Sequence, residues 1–85
     1  MSNIVIQVIN EAHFIAAELD IAVYHGGTPA FVTKSYDRNF TGGDFIRHVA
    51  GKLEAMGYEV SVEGDVYRKN VSVLKACTRE RGADQ

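Results

Sequence analysis

Three histidines and one cysteine are the side chains of this 85-residue chain most suited to metal binding or nucleophilic catalysis. His13, His25 and His48 are widely spaced, and no two have the i, i+4 spacing at which one helix presents two metal ligands. Cys77 has no second thiol for a disulfide or a cysteine-based zinc site, and no fixed base lies near it in sequence. The sequence therefore predicts no catalytic residue, no metal site and no cofactor, and we expect the protein not to be an enzyme.

Two glycine motifs could also carry chemistry. The first, His25-Gly26-Gly27, is similar to the oxyanion loops of hydrolases, but the chain lacks the G-x-S-x-G elbow that such a loop serves. The second, Thr41 to Asp44 (TGGD), precedes a predicted helix whose first N–H groups could bind phosphate. Asp44 would repel an anion, and no phosphate-loop pattern is present, so we interpret this motif as a helix cap.

Composition indicates one small soluble domain. Apolar residues make up 46% of the chain and charged residues 24%, as in ordinary globular proteins. No apolar run approaches the roughly 20 residues that cross a bilayer, and residues 1–10 lack the features of a secretory signal. With a single cysteine, these features favour the cytoplasm. We expect one domain over residues 1–75 and a flexible tail over 76–85, with a core thin enough to leave dimerisation open.

The first half of the chain reads as short strands with one ambiguous segment. Residues 4–9 (IVIQVI) are β-branched and apolar, which favours a strand covered on both faces. Residues 20–25 and 30–37 flank the Gly-Gly-Thr-Pro turn and predict an antiparallel hairpin. Residues 10–19 fit either a short helix, which propensity slightly favours, or an extended and bent chain.

The second half predicts one main helix and a hairpin. Apolar residues recur with helical spacing over about 44–56, and Gly57 follows as a C-terminal cap. Alternating residues on either side of Gly64-Asp65 predict two further strands. The fold class is therefore α+β, with the main helix on one face of a mostly antiparallel sheet of four to five strands. Two orders stay open, a ferredoxin-like βαββαβ plus a strand, or a meander, a helix and a hairpin.

Tyrosines beside predicted strands are the candidate binding residues. Exposed tyrosine on a rigid sheet anchors many protein interfaces. On this basis we expect a module that binds a protein partner through a sheet edge or hairpin, with Tyr24 and Tyr36 as anchors. The full candidate set is Tyr24, His25, Tyr36, Tyr67, Arg68 and Lys69.

Charge distribution keeps two other functions open. Residues 1–33 carry three acidic and no basic side chains, whereas residues 66–85 carry five basic and two acidic ones. The basic C-terminal strand, with Tyr67, Arg68, Lys69 and Lys75, could bind nucleic acid, although the overall net charge of −2 disfavours this. A homodimer that binds a small molecule at its subunit interface is the other alternative.

The segment EAHFIAAELDIAVYHGG (residues 11–27) resembles part of the small phage-encoded anti-CRISPR proteins of type I-F systems. The matching residues are Ala12, His13, Ile21, Ala22, Val23, Tyr24 and Gly27. The resemblance covers about a fifth of the chain and favours the meander order over a first helix at residues 10–19. It implies a non-enzymatic inhibitor in the host cytoplasm that binds a Cas7-type subunit of the surveillance complex, with Tyr24 as a contact. Val8 and Ser35 stand where the family has its other contact residues, and the second half departs from the family pattern.

Overall fold

Two helices and three strands make up the part of the chain that the computed structural model describes, residues 3–78, with side chains described for 4–38 and 44–78. In chain order they are α1 (Asn3–Gly26), β1 (Phe31–Asp37), α2 (Arg38–Ala55), β2 (Glu59–Gly64) and β3 (Val71–Cys77). The strands form one antiparallel sheet in the order β1-β3-β2, and both helices pack on the same face of it. The predicted α+β class is confirmed.

Residues 4–9 and 20–25 are helical, so the strands predicted there are wrong. Both segments belong to α1, which also contains the ambiguous residues 10–19. A stripe with helical spacing runs through Val8, Ala12, Ile15 and Leu19 and packs into the core. Neither glycine nor proline interrupts the chain before Gly26. Burial of this stripe therefore outweighs the strand preference of the β-branched residues.

The loss of these strands changes the topology. The described residues contain three strands rather than four or five, and no strand precedes β1. The ferredoxin-like order and the meander order both require such a strand, and so neither is observed. The Gly-Gly-Thr-Pro turn is present, with Gly27 at φ 79°, but it joins a helix to a strand and not two strands of a hairpin.

The predicted main helix is confirmed, although α2 starts six residues earlier, at Arg38. The backbone is helical through residues 41–43, so the cap predicted at Thr41 does not begin the helix. Gly57 ends it as predicted, with φ 104°. The amide of Tyr58 donates to the carbonyl of Leu53 and that of Gly57 to Glu54, the hydrogen-bond pattern of a Schellman cap.

The C-terminal hairpin is confirmed, and its second strand is central in the sheet. Leu74 of β3 is fully buried between Lys34 of β1 and Val62 of β2 in the sheet register. Ala76 and Cys77, which the prediction placed in a tail, belong to β3. The remainder of that predicted tail, from residue 79 on, lies outside the described residues.

The core lies between the helices and the inner face of the sheet. Alternate residues of β3 point into it, and both helices contribute their apolar stripes. The largest fully buried side chains are Ile15, Leu19, Ile46, Val49, Leu53 and Leu74. This single core fixes the positions of the loops at the two ends of the sheet.

Candidate partner-binding site

The connection between β2 and β3, residues 65–70, presents two large side chains almost entirely to solvent. Among the large apolar side chains of the described residues, Tyr67 (93% exposed) and Val66 (89% exposed) are the most exposed. Neither packs on the core, so folding alone gives no reason to place them there. An aromatic and a branched apolar side chain at the tip of a hairpin are suited to enter a pocket on a partner. We call residues 65–70 the β2–β3 loop.

Hydrogen bonds to one carboxylate hold the β2–β3 loop in place. Asp65 Oδ1 accepts from the backbone amide of Tyr67 at 2.7 Å and from that of Arg68 at 3.2 Å. The amide of Asp65 donates to the carbonyl of Val71 at 2.9 Å. An aspartate that bonds the backbone two residues ahead forms an Asx turn, which keeps the loop in one conformation. Tyr67 is therefore presented on an ordered backbone.

The far side of the same loop is tied to the rest of the fold. Asn70 has a left-handed backbone with φ 54°, a conformation that asparagine tolerates better than most residues. Its carbonyl accepts a hydrogen bond of 2.7 Å from the amide of Arg38 at the start of α2. The loop is thereby joined to the β1–α2 junction as well as to its own strands.

The basic residues predicted at the C-terminal strand do not form one surface. Arg68 and Lys69 lie in the β2–β3 loop and are exposed, whereas Lys75 lies in β3. Lys75 Nζ is 3.8 Å from Glu63 Oε1 on the neighbouring strand. Positive charge is therefore concentrated at the loop beside Tyr67. On the sheet, the charge of Lys75 is offset by Glu63.

Tyr24 and His25 lie in the last turn of α1, away from this loop. The Tyr24 side chain is 86% exposed, and its ring meets the His25 ring edge to face with centroids 5.3 Å apart. The following turn leads into Phe31, the start of β1, whereas the β2–β3 loop lies beside Asp37 at the other end of that strand. Seven strand residues span about 20 Å, so the candidate residues separate into two groups at opposite ends of the sheet.

Tyr36, the other predicted anchor, contacts the inside of the fold. Its hydroxyl donates a hydrogen bond to the carboxylate of Glu11, and its ring packs edge to face on Phe45 at 6.1 Å. Burial and the adjacent carboxylate raise the pKa of Tyr36 above that of free tyrosine. This side chain links β1 to both helices and is only partly exposed.

The remaining groups that could bind a metal or act as a nucleophile are the histidines, the carboxylates and Cys77. Among residues 3–78, no three His, Cys, Asp or Glu side chains lie close enough to hold a metal ion. Burial is the main cause of a raised pKa of the Cys77 thiol. The Glu59 carboxylate, whose oxygen lies 3.6 Å from the sulfur, raises this pKa further. That thiol lines a concavity of about 510 Å³ together with residues of all three strands and Glu54 of α2. A raised thiol pKa is the opposite of what a cysteine nucleophile requires.

Two features were not recognised from the sequence. The sequence predicts a turn at Gly64-Asp65 and a strand from Val66 on, but β3 begins only at Val71, so the strand predicted over residues 66–70 is wrong. Aspartate at the start of a turn was the available signal for an ordered loop. The apolar residues 4–9 were assigned to a covered strand, but in α1 three of them, Ile4, Val5 and Ile6, are more than half exposed. The helical spacing from Val8 to Leu19 was the available signal. Within the described part of the chain, α1 and α2 are each too short or too polar to span a membrane.

Comparison of the chain with protein-family models, with curated proteins and with solved structures finds no match.

Proposed function

We propose that the protein is a non-enzymatic protein-binding module that contacts its partner through the β2–β3 loop. The observation that carries this proposal is the exposure of Tyr67 and Val66 on a loop held by Asp65. Tyrosine and arginine are enriched among residues that dominate protein interfaces, and Arg68 follows Tyr67 directly. A loop that is already ordered in the free protein loses less conformational entropy on binding than a flexible loop does.

The resemblance of residues 11–27 to anti-CRISPR proteins suggests a specific partner for this module. We propose a phage-encoded inhibitor acting in the host cytoplasm on a Cas7-type subunit of a type I-F surveillance complex. In α1 the matching segment is helical, whereas the resemblance implies a strand, so the support here is the exposed Tyr24 side chain alone. The resemblance supports Tyr24 as the contact, whereas the exposure of Tyr67 on the β2–β3 loop supports Tyr67.

These two assignments are separated by a matched pair of variants. The test measures binding of the purified surveillance complex to immobilised wild type, Tyr24→Ala and Tyr67→Ala, whose tyrosines are exposed to similar extents. Loss of an interface tyrosine costs about 2 kcal/mol, equivalent to a Kd about 30-fold higher. We expect Tyr67→Ala to show this loss and Tyr24→Ala to bind as wild type. The reverse pattern would place the site at the end of α1.

If the surveillance complex does not bind, the partner is a different protein. The proposal that the β2–β3 loop binds a protein is then tested in nuclease-treated lysate. Proteins retained by the wild type but not by folded Tyr67→Ala would support the β2–β3 loop as a protein-binding site. Retention that disappears with nuclease, and that falls steeply as salt increases, would instead identify a nucleic-acid-binding module. The observation that supports this second function is the exposure of one aromatic and two basic side chains on the same loop, Tyr67, Arg68 and Lys69.

A further inference from the structure

The first turns of α1 continue the apolar stripe of the core beyond the part that the fold covers. Ile4 and Val5 lie on the same side of the helix as Val8, Ala12 and Ile15, since residues three, four or seven apart share a face. Ala12 and Ile15 are fully buried, yet Ile4 is 51% exposed and Val5 is 58% exposed. The core-facing stripe of α1 is thus left open to solvent at its N-terminal end.

This open end forms a groove with α2. Ile4, Val5, Val8 and Ile9 make one wall of a cavity of about 690 Å³, and α2 makes the other with a face that includes Gly51 and Ala55. A Cβ added at Gly51 would meet no atom within 4 Å, so the α2 wall has room for a side chain from outside. The groove is apolar on the α1 side, and on the α2 side the small Gly51 and Ala55 lie beside the larger Phe45, His48 and Lys52.

The charge pattern indicates what fills the groove. Residues 3–10 carry no charged side chain, and Ile6 is more than half exposed on the side of α1 that faces away from the core. Gln7 and Asn10 lie on one face of these turns, and apolar side chains occupy the remaining faces. In a twofold dimer each copy contributes the same two surfaces, and an uncharged α1 segment can lie against α2 of the other copy without burying a charge. Asp44 and Lys52 at the groove balance each other in charge.

We propose that the groove holds a second copy of this chain, with the first turns of α1 from each copy lying against α2 of the other. The α2 wall is long enough for this, because residues 4–10 of a helix extend about 10 Å and the wall from Asp44 to Ala55 extends about 16 Å. A stable interface buries about 800 Å² per partner, roughly one eighth of the 5970 Å² surface of this chain. The exposed parts of Ile4, Val5, Ile6 and Ile9 supply on the order of 300 Å² of apolar area towards this. The exposed α2 residues at the groove, which are Asp44, His48, Gly51, Lys52 and Ala55, add to it.

Sedimentation velocity over about 1 to 100 µM protein tests the proposal, because a dimer of micromolar affinity dissociates within this range. Wild type is expected to change from monomer to dimer. Val5→Glu and Gly51→Glu each bring an unpaired charge into the groove and should raise the dissociation constant about 100-fold. Val66→Glu is the matched control, because it adds the same charge at an exposed valine of the β2–β3 loop and should leave the dimer intact. A wild type that stays monomeric at 100 µM overturns the proposal.

Cross-linking identifies the surface even if one variant fails to fold. In a Cys77→Ser background, copies carrying Ile6→Cys are mixed with copies carrying Gly51→Cys and treated with a short bis-maleimide. A cross-link between the two kinds of copy supports the groove, whereas a persistent dimer without it overturns the assignment. A wild type that remains monomeric but binds phosphatidylglycerol vesicles in a Val5-dependent manner also overturns it, since the apolar turns would then serve a membrane surface. The dimer does not use Tyr67, so failure of the proposed function leaves this test unaffected.

Discussion

The hydroxyl of Tyr36 in β1 donates a hydrogen bond to the carboxylate of Glu11 in α1, across 25 positions of sequence. The Tyr36 ring also packs edge to face on Phe45 of α2. One side chain therefore joins the first helix, the second helix and the edge strand of the sheet. Among the strands, the backbone of α1 lies nearest to β1, so this contact helps to hold the helix over the sheet.

Replacement of Tyr36 by phenylalanine is expected to lower the free energy of unfolding by about 1 kcal/mol, because it removes the hydrogen bond and keeps the ring. Urea denaturation followed by circular dichroism measures the change. Tyr24→Phe removes a hydroxyl from an exposed ring and serves as the control, with an expected change within about 0.5 kcal/mol. Equal effects of the two substitutions would contradict a structural role for the Tyr36 hydroxyl.

The same contact predicts a loss of stability at high pH. Burial and the Glu11 carboxylate raise the pKa of Tyr36 in the folded state. A raised folded-state pKa stabilises the fold fully below the pKa of the unfolded chain, about 10, and this stabilisation is lost as pH rises further. The free energy of unfolding should therefore fall above about pH 10, and less steeply in Tyr36→Phe than in Tyr24→Phe. Parallel pH profiles for the two variants would show that Tyr36 does not determine the decline.

The second half of the fold could be predicted from sequence because its signals are local. Glycine at position 57 ends a periodic helix, and the Gly64-Asp65 pair separates two alternating strands. Each of these signals lies within a few residues of the structure it determines, and the Schellman cap and the hairpin confirm both.

The first half could not be predicted in the same way because its local preferences conflict with its packing. Residues 4–9 favour a strand by residue type, but they are the start of a helix whose buried stripe becomes visible only from Val8 onward. For the candidate site, sequence indicated which residues could bind but not how they are grouped. Tyr36 turns inward, and Tyr24 and Tyr67 lie at opposite ends of the sheet, because the register of β1 against β3 separates them.

Asp65 is expected to control the order of the β2–β3 loop. Asp65→Ala removes the acceptor for the amides of Tyr67 and Arg68, whereas Asp65→Asn retains an oxygen in the same place. Hydrogen exchange of these two amides, measured by NMR, should be at least about fivefold faster in Asp65→Ala, which corresponds to a loss of about 1 kcal/mol. Asp65→Asn should stay close to wild type. Unchanged exchange in Asp65→Ala would show that other contacts hold the loop.

Cys77 is expected to react slowly as a nucleophile, and the pH dependence of its reaction rate is expected to depend on Glu59, its neighbour on β2. Burial, then the Glu59 carboxylate, raises the pKa of the Cys77 thiol, so less thiolate is present at a given pH than in a free cysteine. Alkylation by iodoacetamide at pH 8 should be slower than for an unfolded peptide. Glu59→Gln removes the adjacent negative charge and should shift the midpoint of the rate against pH to lower values.

Glu63→Gln is the matched control for this measurement. Glu63 lies on the same strand and its substitution changes the net charge equally, but its carboxylate pairs with Lys75 and not with the thiol. Restricted access to the sulfur would slow the reaction at every pH without moving the midpoint, which separates access from ionisation. A midpoint that stays fixed in Glu59→Gln, or that moves equally in Glu63→Gln, would exclude the contact between Glu59 and Cys77 as the cause.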